Sequence, residues 1–100
     1  MSAPRRELKL SKRARRDFLH ILAYTERTWG AQQVLTYRAL IKEALETLQQ
    51  QPGIGHKHPA LPDTHRIYPV GSHLIVYRDH KGMIEVFRMP HERMSLARQV

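Results

Sequence analysis

The sequence contains no cysteine, which excludes disulfides and thiolate-held metals and leaves the fold to stand on packing alone. Acidic residues are scarce: nine Asp and Glu face seventeen Lys and Arg, for a formal charge of +8. A chain so charged attracts polyanions, whether nucleic acid, an anionic surface or an acidic protein. Charge alone does not choose among these, and a solubilising role is also open. No apolar run reaches membrane-spanning length, so no membrane partner is expected. Met1 to Arg6 is basic with no apolar run behind it; no secretory signal is expected, and the cytoplasm is the default location. A nucleophile elbow, a glycine-rich phosphate loop and a paired-carboxylate motif are also missing, which removes the commonest hydrolase and nucleotide-binding readings. No cofactor is implied.

What is present reads as one domain over residues 1–100, with a modest core and correspondingly marginal stability in the absence of a partner. Leu8 and Leu10 alternate with Glu7 and Lys9, predicting a short strand. Ser11 is a good N-cap for a helix whose apolar positions are Ala14, Phe18, Ile21, Leu22, Thr25 and Trp29. Gly30 can take the left-handed conformation that ends it. A second helix, from about Ala31 to Gln51, carries Val34, Tyr37, Ile41, Ala44, Leu45 and Leu48 on one stripe before Pro52 and Gly53 stop it. So short a connection makes the two helices an antiparallel hairpin.

Residues 52–63 read as a loop rich in Gly, Pro and His, a composition suited to a ligand-facing segment. Three strand signals follow: Arg66 to Tyr68, then His73 to Arg78 beyond a turn at Pro69 to Ser72, then Met83 to Met89 beyond a connection at Asp79 to Gly82. The expected fold is α+β, in the order β-α-α-β-β-β. The hairpin packs on one face of a mainly antiparallel sheet, and the first strand sits at an edge or beside the last. Trp29 is expected to be buried where the helices meet.

Seven histidines raise the question of a metal, but none are spaced as a helical ligand pair, and none is expected. The one enzymatic reading that fits is metal-independent phosphodiester cleavage, with Arg66 and Arg88 holding a phosphate and His91 moving protons, and Arg78 and Lys57 near in sequence. A convincing general base is missing, since Glu85 has the opposite strand parity from Arg88. The same arginines also read as surface cations, and His91 as a residue that bonds backbone at the strand exit. Arg88 shares the core-side parity of Ile84 and Val86, so it must reach the rim, find an acid or line a groove; rim or groove is favoured. Lys12, Arg13, Arg15 and Arg16 crowd the first helix's N-terminal turns against its dipole, only partly offset by Asp17.

The ordered set of motifs resembles the ParE branch of the RelE/ParE toxins. It comprises "LKLSKRARRDFLHILAYTERTWG", the helix exit "LETLQQQPGIG", the hairpin "HRIYPVGSHLIVYR" and the close "IEVFRMPHERM". The likeness spans roughly residues 7–97, and departs from the usual ending where Ser95 replaces an Asp. The resemblance implies a RelE-like fold and a toxin of a type II toxin–antitoxin module. It also implies a ParD-like antitoxin, through which DNA is bound indirectly, and inhibition of DNA gyrase without turnover. The RelE branch implies instead a ribosome-dependent mRNA endoribonuclease using Arg66, Arg88 and His91; a third reading is a non-toxic basic binding module. On the lead reading His91, Arg93, Met94 and Arg98 contact the target, and Arg13, Arg16, Arg66, Arg78 and Arg88 contact the antitoxin.

Overall fold

In the computed structural model, which describes residues 5–94 and 96, strand gives way to helix at Ser11. Strand β1 (Glu7–Leu10) ends there with extended backbone. The Ser11 hydroxyl oxygen accepts the Ala14 N–H at 3.0 Å, capping helix α1 (Lys12–Trp29), while its O–H donates to the Phe87 carbonyl at 2.8 Å. One side chain thus satisfies an orphan helix donor and ties the helix start to the last strand. The first turn of α1 holds no acid.

Gly30 alone separates α1 from α2 (Ala31–Gln50). Its φ of 92° and ψ of 171° differ from the left-handed helical cap expected for it. The combination is open essentially to glycine. It reverses the chain in a single residue, so that Gly30 ends one helix through its N–H to Glu26 and starts the next through its carbonyl to Val34. Trp29 is the last residue before this reversal and is 70% exposed. The burial expected from its helical spacing is not found.

The remaining strands are β2 (Arg66–Val70), β3 (His73–His80) and β4 (Met83–Arg88). They form a mixed sheet in the order β1-β4-β3-β2, with β1 parallel to β4 and the other pairs antiparallel. Strand β2 runs on through Pro69, which the sequence placed in a turn; at an edge a missing N–H is tolerated. Strand β3 likewise extends to His80, since the turn needs only Lys81 and Gly82, both at positive φ as a tight hairpin demands. Register shifts by one between Val76 and Tyr77, leaving an extra residue in β4 just before Arg88.

Helices cover one face of the sheet. Ala14, Ile21, Ile41, Leu45 and Leu48 pack on Ile75, Tyr77, Ile84 and Val86. On the other face Leu61 and Leu96 close over Val76. The 52–63 segment is therefore partly structural: a short 3-10 turn (Pro52–Ile54) leads to Gly55, buried against Tyr77, and His56 pairs with Ile67 as an added bridge on the sheet edge. The Tyr77 hydroxyl donates to the Pro52 carbonyl at 2.6 Å and accepts the Gly55 N–H at 3.0 Å. A Cβ at Gly55 would stand 2.5 Å from that oxygen.

Candidate functional site

Asp17 lies on α1 between the buried positions Ala14 and Ile21. Its carboxylate accepts from Arg88 Nε at 2.7 Å, from Arg88 Nη2 at 3.2 Å and from the Met89 backbone N–H at 2.8 Å. Both side chains are largely withdrawn from solvent, at 16% and 13% exposure. Of the options open to Arg88, an acid partner and a groove position are realised together. Of the favoured rim or groove, the groove is the one found, and the acid is added because α1 crosses the end of β4 and brings Asp17 over it. The forked contact fixes how the chain leaves β4.

The strap of residues 89–94 then runs back along the start of β3. The Leu74 N–H donates to Pro90, the Glu92 N–H donates to Ser72, each at 2.9 Å, and His73 pairs with His91. His91 Nδ1 accepts the Arg93 N–H at 3.1 Å, the backbone role foreseen for it at the strand exit. The His73 and His91 rings meet edge-on at 5.3 Å. On its other side His73 Nδ1 is hydrogen-bonded to the Tyr37 hydroxyl at 2.7 Å, and that hydroxyl also accepts the Ser72 N–H at 3.0 Å. Burial, reinforced by the neighbouring His91, holds His73 below the ordinary imidazole value, and burial pushes the Tyr37 hydroxyl up.

Two cavities open on this strap and share Tyr24, His73 and His91. One, of about 300 Å³, reaches Asp17, His20, Arg88 and Met94; the other, of about 510 Å³, reaches Trp29, Tyr37 and Arg93. Together they form a groove between α1 and the strap. Its lip holds three large exposed side chains, Tyr24, Trp29 and Met94, at 56%, 70% and 47% exposure. Solitary exposed apolar residues are common, but aromatics gathered on one concavity mark a surface made for contact.

The residues singled out in the sequence divide between this groove and other places. His91, Arg93 and Met94 border it, as does Arg88. Arg98 lies outside the described residues. Arg66 borders neither cavity. It stands opposite Tyr77, four residues along β3 from His73 or roughly 13 Å, and its guanidinium donates to the Gly55 carbonyl at 3.0 Å. Arg78 pairs with Glu85 at 2.8 Å and lies over the Phe87 ring, so Glu85 faces away from the Arg88–Asp17 pair, as its strand parity required. Hydrogen bonding from Arg78 holds the Glu85 carboxyl below its usual range. Arg13 and Arg16 are exposed on α1, and Lys57 is exposed in the loop. Among the described residues no three His, Asp or Glu converge as a metal site.

Asp17, His73 and Tyr37 were missed as site residues. Asp17 was the most accessible of them. An arginine at core-side parity demands an acid, and Asp17 is the only acid in the first half of α1.

A family model described as ParE toxin of type II toxin–antitoxin system, parDE, matches residues 8–96. Toxin ParE1 of Caulobacter vibrioides is 32% identical over 88 residues, covering 87% of this chain and 90% of that protein. In three dimensions the chain resembles a chain of the chromosomal ParDE TA system of P. aeruginosa, with a TM-score of 0.74 at 20% identity over 86% of this chain and 95% of that one. A weaker likeness, with a TM-score of 0.52 at 14% identity, is to TrmO of P. aeruginosa over 90% of this chain and 35% of that one. Both likenesses at such identities speak for the fold.

Proposed function

The chain belongs to the ParE toxin family of type II toxin–antitoxin systems, and from that premise we propose that it inhibits DNA gyrase, so blocking replication, and is neutralised by a ParD-like antitoxin. The observation that carries the reading is the groove with Tyr24, Trp29 and Met94 exposed on its lip. It is a place to seat a protein, on a molecule whose charge of +8 favours acidic partners. His91, Arg93 and Met94 on the strap contact gyrase, and the antitoxin neutralises by filling the same groove. Gyrase as target puts the chain in the cytoplasm; no helix among the described residues is long and apolar enough to cross a membrane.

Inhibition without turnover agrees better with the geometry than phosphodiester cleavage does. Arg88 has its charge offset by Asp17, His91 spends Nδ1 on the Arg93 N–H, and Arg66 is engaged elsewhere. The cleavage reading keeps one supporting feature, the sharing of a cavity by His73, His91 and Arg88.

A supercoiling assay with purified gyrase, relaxed plasmid, ATP and the purified chain decides between them. Loss of supercoiling with accumulation of linear DNA is expected. Trp29→Ala should abolish it while changing stability by no more than about 0.5 kcal/mol, as befits an exposed side chain. No effect at saturating protein would overturn the gyrase reading, and cleavage of ribosome-bound mRNA, with His91→Ala as control, would then be measured.

A further inference from the structure

Helix α1 is divided along its length. Its C-terminal end carries the aromatic lip of the groove, and its N-terminal half carries charge with almost nothing apolar exposed. Lys12, Arg13, Arg15 and Arg16 are all exposed. Among the described residues the side chains of these Lys and Arg residues make no ion pair or hydrogen bond. Asp17, the one acid in the first half of the helix, turns inward to Arg88. Cations at this end of a helix also oppose its dipole, so the arrangement is unfavourable until something negative is bound.

We propose that this cluster is a second binding site, distinct from the groove, for the sugar–phosphate backbone of duplex DNA. A protein partner needs apolar anchors, and between Lys12 and Asp17 none is exposed; the nearest, Leu19 at 63%, begins the transition to the aromatic end. A phosphate backbone needs cations in a row and nothing else. From Lys12 to Arg16 the cluster spans about 6 Å of helix axis, a length over which duplex DNA presents about three or four phosphates. Binding would be independent of base sequence, since no side chain of the cluster is held in a geometry fixed for reading base edges. The site stands whether or not gyrase is the target. If gyrase is the target, it lets the toxin hold enzyme and DNA at once.

The test is fluorescence anisotropy of labelled duplexes of unrelated sequence against the purified chain, over a range of salt. Equal affinity for all duplexes, falling steeply with salt, is expected. In the variant Arg13→Glu/Arg15→Glu/Arg16→Glu the log–log salt slope should shrink by about 2 to 3, from about 0.9 per phosphate contact, which lowers the response between 50 and 200 mM salt by about 40-fold. An unchanged melting curve verifies that the variant is folded, and gyrase inhibition is measured separately. Absence of salt-dependent binding by the wild-type chain would overturn the proposal. So would a variant that binds DNA as the wild type does while losing antitoxin affinity, which would make the cluster a protein surface.

Discussion

Asp17 receives three hydrogen bonds from partners 71 and 72 positions away and forms a forked ion pair with Arg88. Removing one member of a sheltered ion pair leaves the other uncompensated, so Asp17→Ala should cost about 3 kcal/mol in urea denaturation, while Asp17→Leu/Arg88→Met should recover most of the loss. A double variant no more stable than the single one would mean that the contact acts through the Met89 N–H instead. His73 carries a second expectation. Its folded value is lowered by burial and by His91, so the neutral form is the one that stabilises the fold. That contribution is complete above the unfolded value of about 6.5 and is lost as pH falls through the lower folded value. Melting temperature should therefore drop between pH 7 and 5 more steeply in the wild type than in His73→Asn; superimposable profiles would remove His73 from the account. Neither residue announced itself. Parity told that Arg88 needed the rim, an acid or a groove, but which helix crosses β4 is a tertiary fact. Tyr37 was legible only as one more apolar position on α2, and its hydroxyl found Ser72 and His73 through the β2–β3 turn.

Between elements, the single-residue connection at Gly30 does more than join two helices. Its backbone geometry is costly for any side chain, although a Cβ there would meet nothing within 4 Å. Gly30→Ala should thus destabilise by about 1–3 kcal/mol through backbone strain alone, and Gly53→Ala, at ordinary φ and equally open, serves as the control. Equal melting temperatures for the two variants would show that the hairpin can relax around Gly30. The element order was readable from local signals: the Ser11 cap, the two helical stripes, and Gly82 with its φ of 77°. Misread limits have local causes too. Pro69 looked like a turn because edge and centre strands are indistinguishable in a sequence, and Trp29 looked buried because periodicity does not reveal whether anything packs over a helix's last turn. The parallel pairing of β1 with β4 joins segments separated by both helices, and the sequence narrowed it only to an edge or a place beside the last strand.

Taken whole, the molecule packs its charge of +8 into a radius of gyration of 13.5 Å, close to the roughly 13 Å of an ordinary compact domain of this length. The excess cations repel one another at close quarters and subtract from a stability that a small core already keeps low. Salt should screen that repulsion, so the free chain should melt higher at 200 mM than at 50 mM salt. An acidic antitoxin acts on both weaknesses, covering Tyr24, Trp29 and Met94 and neutralising the surface. Ligand that binds only the native state adds RT ln(1 + [L]/Kd), about 4 kcal/mol at a thousandfold excess over Kd, and each kcal/mol moves Tm by about 4–8 °C in a domain of this size. The expected result is a large upward shift with antitoxin, smaller at high salt because the attraction is screened as well. Trp29→Ala should reduce the shift without lowering the Tm of the free chain. A melting curve that excess antitoxin leaves unmoved would show that the exposed groove is not where neutralisation occurs. A shift independent of salt would place the affinity in the aromatic lip and leave the charge of α1 to its other partner.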